Sequence, residues 1–234
     1  MAFPVDIKLP SDARYYKFIE SNKKFNSNYD ITWSFEYSLP ANSIPSPGSY
    51  ELGFSTFITN LASPISSLGS GHAKVEANSP VTVDIVHLHR GYVSDCTRMF
   101  SAGKLSNEWM ERLDDMIEIR DKVVSSLSSG NYCSTTWEMG SELAKEMGYE
   151  NNLMGMSPDK SSFLGHSVGL ELDETPVIAK GFDRPLNYGG TMAIEPKVIY
   201  DNGCIGTEDT FVRTRNGMEY ITMGDKFPFI TDWN

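Results

Sequence analysis

The stretch VTVDIVHLHRGYVSDCTRMF, residues 81–100, holds two runs rich in β-branched and apolar residues on either side of a short LHRG turn. Two such runs about a turn predict an antiparallel hairpin. Each run carries one acid, Asp84 and Asp95, and the two share a midpoint between His89 and Arg90. Downstream, a helix is predicted to start at Ser106, with Trp109, Met110, Leu113, Met116, Ile117, Val123, Val124 and Leu127 at helical spacing and Gly130 as its stop. A second helix is expected to open on the capping box Thr135-x-x-Glu138, to bury Trp137, Leu143, Ala144 and Met147, and to end at Gly148. The remainder reads as strands: FLGHSVGLEL, TMAIEPKVIY, IGTEDTFVRT and MEYITM, with Asn216-Gly217 as a hairpin turn before the last. Strands, then two helices, then more strands imply an α+β fold with an antiparallel sheet.

Upstream the pattern weakens. Residues 1–70 are rich in Ser, Asn, Pro and Tyr, with one helix expected from Ser11 to about Phe25. ITWSFEYSL and GFSTFITNLA read as strands, and SPISSLGSGHA as a loop. A short N-terminal region over 1–70 and a main domain over 71–234 are therefore the expected organisation. The chain has 234 residues and a formal net charge of −11. That acidity excludes a phosphate-tracking surface and disfavours an anionic membrane. No apolar stretch is long enough to span a bilayer. The opening MAFPVDIKLPSD lacks a basic segment followed by an apolar one, so no secretory signal is expected. Cys96, Cys133 and Cys204 are few, odd in number and far apart, which points to a reducing, cytoplasmic setting rather than a disulfide framework.

Four acids, Asp84, Asp95, Glu195 and Glu208, lie inside apolar strand runs. A buried carboxylate needs a partner or a metal. Glu195 and Glu208 share a midpoint between Asp201 and Asn202, so each acid pair is predicted to face across a hairpin. Two divalent cations would balance four carboxylates, which suggests a two-metal site, with His166 as nitrogen ligand. So oxygen-rich a donor set favours Mn²⁺, Co²⁺ or Fe²⁺ over zinc. The plainer alternative is that these acids cap loops or pair with Arg98, Lys197 and Arg213 on a half-exposed sheet.

At these residues the chain resembles the pita-bread metallopeptidases, the M24-type family that includes methionine aminopeptidase, aminopeptidase P, prolidase and the metal-free creatinase. VDIVHLHRGYVSDCTRMFSAG is similar to the family's D-(x)10-D-x-T-R segment, and FLGHSVGLELDETP to GHGIGLxxHExP. AIEPKVIY resembles T-I-E-P-G-x-Y, and GTEDTFVRTRNG resembles R-x-E-D-x-x-x-V-T-x-x-G. The GLELDE and EPK wording most resembles the Xaa-Pro peptidase branch. The resemblance implies a pita-bread fold, an antiparallel sheet with packed helices, and places metal ligands at Asp84, Asp95, His166, Glu195 and Glu208. It also implies that Asp95 and Glu208 contact both ions and that Glu195 handles the proton of the bridging water. Arg98 falls at the arginine of D-x-T-R, and a structural salt bridge is expected there because arginine commonly supports nearby carboxylates. His72 is the only candidate for the family's upstream histidine, an oxyanion stabiliser, its plainer reading being a loop histidine in a Gly-rich turn. Asp173 stands where many members carry a substrate-facing histidine, Ser167 where they carry Gly, and Gly206 where they carry Arg. His87 and His89 read as hairpin residues. The first half of the fold looks abbreviated.

The function so implied is hydrolysis of the N-terminal bond of a peptide, at Xaa-Pro, by a water activated at two divalent ions, with Glu195 and His72 catalytic and Asp173 binding substrate. The partners expected are a peptide and a second copy of the chain, with neither nucleic acid nor membrane. The alternative is a non-catalytic pita-bread module that binds a peptide or protein. A creatinase-like hydrolase without metal is disfavoured, because that chemistry does not need this ligand set.

Overall fold

The computed structural model describes residues 54–58, 77–89, 91–156, 159–222, 224 and 228–233. The helix expected over Ser11–Phe25, the strand expected at 31–39 and the loop with His72 lie outside them. A four-stranded sheet runs in the order β1 (Phe54–Ile58), β2 (Pro80–His89), β3 (Tyr92–Ala102) and β13 (Ile230–Trp233). Its last pair is parallel and the others antiparallel. Two helices follow β3: α1 (Asn107–Ser128) and α2 (Cys133–Glu146).

The remaining regular elements among the described residues are strands. Two residues each from Gly155–Met156 (β4) and Asp159–Lys160 (β5) pair with one another. A five-stranded sheet is built from β6 (Phe163–Ser167), β7 (Glu174–Ala179), β8 (Thr191–Ile194), β11 (Asp209–Thr214) and β12 (Gly217–Tyr220). Its order is β12-β11-β8-β6-β7. Strands β9 (Lys197–Tyr200) and β10 (Gly203–Gly206) form a separate antiparallel pair.

Helix α1 forms where its spacing predicts. The Ser106 hydroxyl accepts from Trp109 N at 3.3 Å, and Gly130 leaves the helix with φ +84°. Its buried stripe of Leu113, Met116, Ile119, Val123 and Leu127 packs with Leu164, Ile178, Met192, Ile194 and Phe211 of the five-stranded sheet in one core. Each such side chain contributes ~1.5–3 kcal/mol when fully buried, so this contact anchors the sheet that carries half of the site.

Helix α2 begins two residues before the predicted capping box. Its first amides donate instead to a neighbouring loop, Cys133 N to Arg184 O at 2.9 Å and Ser134 N to Phe182 O at 3.0 Å. A distant loop thus replaces the local Thr135 cap. The last hairpin also closes one residue earlier than predicted: Gly217 pairs with Thr214, with φ +121°, rather than sitting in the turn.

Candidate metal centre

The site lies where the two large sheets meet. An isolated antiparallel bridge joins Thr97 of β3 to Glu208, just before β11. The amide of Thr97 donates to Glu208 O at 3.1 Å, and Thr210 Oγ1 donates to Asp95 O at 2.8 Å while accepting from Asp95 N at 3.0 Å. Beneath them the Arg98 guanidinium, 1% exposed, donates to Thr97 O (2.8 Å), Glu208 O (2.9 Å), Gly224 O (3.1 Å) and Asp209 Oδ1 (2.9 Å). The expected salt bridge of Arg98 is therefore present, and its partner is Asp209.

The facing of the acids differs from expectation in one pair. In the β2–β3 hairpin, Asp84 lies opposite Thr97, and Asp95 opposite Val86. The two aspartates are diagonal rather than directly opposed. The hairpin closes at His89↔Tyr92, with Gly91 at φ +87°, so its centre lies one residue later than the midpoint of the acids. A left-handed backbone suits glycine, and the turn forms there. The slip is two residues in register, which keeps both acids on one face.

Glu195 and Glu208 behave as expected. The register Tyr200↔Gly203 through Lys197↔Gly206 continues across the gap to Ile194↔Asp209. Between the two ladders Thr207 N donates to Pro196 O at 3.2 Å. Pro196 has no N–H to give a regular ladder, and both strands break there, with Glu195 and Glu208 at the break. His166, in β6, pairs with Ala193 on one side and Val177 on the other, with register shifts on both sides of it in the β6–β7 pairing. Gly165 before it is forced by close approach, because a Cβ there would sit 2.2 Å from Ala193 O.

These elements bring ligand atoms of Asp95, His166 and Glu208 within 4.8 Å of one another. All three are buried, Asp95 at 4% and Glu208 at 1% exposure. His166 Nε2 lies 3.9 Å from Asp95 Oδ2 and 3.5 Å from Glu195 Oε1. Its Nδ1 is 3.2 Å from Ser167 O. A proton assigned to Nδ1 by that contact leaves the Nε2 lone pair for the cluster. Asp84, half-buried, joins the group through its electrostatic coupling to Asp95 and Glu208. Asp173 stands at the rim, 72% exposed, its Oδ1 3.5 Å from His166 Nδ1.

One participant was not singled out from the sequence. Lys197 Nζ donates to Glu195 Oε2 at 2.7 Å and to Glu208 Oε2 at 2.9 Å. The plainer reading paired the acids with Lys197 on a half-exposed sheet, and the pairing exists, but it is buried in the cluster. The signal was present in AIEPKVIY, where Lys197 takes the place of the glycine in T-I-E-P-G-x-Y.

The electrostatics follow from burial and crowding. Burial, then the charge of Glu208, push Asp84 up to about 7, although Lys197 opposes the rise. Burial and the charges of Glu208, Asp84 and Glu195 hold Asp95 well above the carboxylate range. Burial raises Glu195 against the pull of Lys197. Burial acts on Glu208 too, but Lys197, the Thr97 hydroxyl at 2.6 Å and His166 outweigh it and keep that carboxyl low. Lys197 is itself held well above the usual ammonium value by the glutamates despite its burial.

A divalent cation fits this donor set. Asp84 Oδ1 and Asp95 Oδ1 are buried with no hydrogen-bond partner. Such oxygens are costly unless something cationic meets them. Stripping metal with a chelator should therefore lower the melting temperature, and Mn²⁺ or Co²⁺ should restore it. At a hundredfold excess over Kd the gain is ~2.7 kcal/mol, or ~5–10 °C for a chain of this size. The sign with pH is fixed by the raised carboxyls. The metal-free native state holds protons that the unfolded chain has lost, so its stability falls as pH climbs from ~4 to about 7. A melting curve indifferent to chelator and metal would refute the fit.

The chain has the pita-bread fold and belongs to metallopeptidase family M24, whose family model matches residues 27–215. It is 26% identical to the Xaa-Pro dipeptidase of Pyrococcus furiosus over 92% of this chain and 59% of that protein. It is 28% identical to the Xaa-Pro dipeptidase of Lactobacillus helveticus over 71% of this chain and 43% of that one. Among solved structures, prolidase from Pyrococcus furiosus superposes with a TM-score of 0.60 at 26% identity, over 68% of this chain and 45% of that chain. Xaa-Pro dipeptidase from Bacillus anthracis gives 0.64 at 24% identity, over 76% and 48%. The chain thus spans between 43% and 59% of the length of these relatives. No helix among the described residues is long and apolar enough to cross a membrane.

Proposed function

We propose that the chain is a metal-dependent peptidase that cleaves the N-terminal bond of peptides, with Xaa-Pro as its preferred bond. The observation that carries this reading is the buried meeting of Asp95, His166 and Glu208 beside two aspartate oxygens without partners. Asp84, Asp95, His166, Glu195 and Glu208 would hold divalent metal, and the oxygen-rich set favours Mn²⁺, Co²⁺ or Fe²⁺. Bound there, a divalent ion supplies Lewis acidity and a water acidic enough to act near neutral pH.

The chain's own residues do the rest. Glu195, raised by burial, is suited to take a proton from water and return it to the leaving amine. Its Oε1 faces His166 while its Oε2 is tied to Lys197, so the carboxylate is held in one orientation. Asp173, exposed at the rim, offers a carboxylate to the amino terminus of a substrate. His72 is proposed to stabilise the oxyanion. The Xaa-Pro preference is supported by the names of the relatives.

The test is an assay of the purified chain on Ala-Pro and longer Xaa-Pro peptides, with and without chelator. Hydrolysis that disappears on chelation and returns with Mn²⁺ or Co²⁺ is expected. A metal-loaded chain that cleaves no dipeptide and no Xaa-Pro peptide would instead support the non-catalytic binding module.

A further inference from the structure

We propose that Lys197 is a built-in cation of this site, its ammonium standing in for one of two divalent ions, so that the chain binds a single ion beside it. The inference rests on the metal-dependent reading above and concerns how many ions that site accepts.

The geometry of the oxygens carries it. Glu208 Oε2 accepts from Thr97 Oγ1 at 2.6 Å and from Lys197 Nζ at 2.9 Å. Glu195 Oε2 accepts from the same Nζ at 2.7 Å. An ion bridging the two glutamates through these oxygens would lie against an ammonium. Like charges at that separation repel strongly in a buried site. Other donors remain open: Asp84 Oδ1 and Asp95 Oδ1 have no hydrogen-bond partner, and His166 Nε2 lies 3.9 Å from the second oxygen of Asp95, Oδ2. The donor atoms of Asp95, His166 and Glu208 define one such place, within 4.8 Å of one another. Glu195 Oε2 and Glu208 Oε2 are thus engaged by the ammonium, while Asp84 Oδ1 and Asp95 Oδ1 stay unpaired.

The fold also makes room for the lysine. Lys197 opens β9 directly opposite Gly206 of β10. A Cβ at Gly206 would sit 2.4 Å from Pro196 O and 2.6 Å from both Cα and Cγ of Lys197. Any larger residue at 206 would displace the Lys197 backbone and stem. The bare position at Gly206 and the buried course of Lys197 are two parts of one arrangement. The expectation of an ion pair counted the four carboxylates and left out this ammonium.

The experiment uses the full chain, stripped of metal, saturated with Mn²⁺ and freed of excess. Bound manganese per chain is measured by elemental analysis, and the ion's surroundings by electron paramagnetic resonance. A single ion with the spectrum of isolated Mn²⁺ is expected. Lys197→Met and Lys197→Gly should each raise the content to a pair of ions with the spectrum of coupled spins, as for metals ~3.5–4 Å apart. A pair of ions in the unaltered chain overturns the inference and leaves the metallopeptidase reading standing. No bound ion in the unaltered chain overturns both. Lys197 variants that fold and still hold one ion would show that the ammonium does not keep the second place. Should both variants fail to fold, the content and spectrum of the unaltered chain decide alone.

Discussion

Glu195→Gln is expected to lower peptide hydrolysis by ~10²–10⁴-fold, the usual contribution of a positioned general base, while leaving the chain folded. The amide matches the carboxylate in shape but cannot take up a proton. The Glu195 amide N donates to Leu164 O at 3.0 Å, and this backbone contact survives the change. Lys197 keeps Glu208 as its partner at 2.9 Å. Rates measured on metal-loaded protein, with circular dichroism as the check on folding, decide the matter. Activity that survives both chelation and Glu195→Gln would place the catalyst elsewhere.

The largest expected loss of stability comes from Arg98→Met. The guanidinium and Asp209 are exposed by only 1% and 0%. Removing one partner of a buried pair leaves the other charge uncompensated, at a cost of ~3–5 kcal/mol. Asp209 Oδ1 would retain Thr222 Oγ1 at 2.7 Å and Gly224 N at 3.1 Å, but Oδ2 already has no partner. The same change frees the carbonyls of Thr97 and Glu208, which Arg98 holds at 2.8 and 2.9 Å, so the seam between the two sheets loosens where the metal ligands sit. Denaturant unfolding of Arg98→Met and of Arg98→Met/Asp209→Asn makes the comparison. The double variant should recover part of the loss, because its buried acid is gone. Equal stability of Arg98→Met and the unaltered chain would contradict this account.

How far the sequence could be read depended on the range of each signal. Helix α1 was legible because its stripe and its Ser106 cap are local. The start of α2 was not, because its first amides are satisfied by Phe182 and Arg184, some fifty residues away along the chain. The pairing of Glu195 with Glu208 could be read from a midpoint, since both arms of that hairpin keep one register across a break. For Asp84 and Asp95 the same arithmetic failed by two residues, because the glycine at 91 and not the symmetry of the acids sets the turn. The ordered motifs around the five ligand positions carried the family, and the fold came with it. What they could not carry was the reach of Lys197: a four-carbon stem at the edge of a strand gives no periodic sign of where its charge will end up.

The break at Glu195-Pro196 and Thr207-Glu208 has a consequence for which insertions the chain can accept. The two glutamates are clamped between ladders on both sides, Ile194↔Asp209 before the break and Lys197↔Gly206 after it. Residues added to the turn between Tyr200 and Gly203 lengthen the tip and leave both ladders in step. One residue added to a single arm between the ladders would force one of them to slip, turning its side chains to the opposite face. Length variation in this hairpin is therefore confined to its tip, and an indel in either arm must be matched by one in the other.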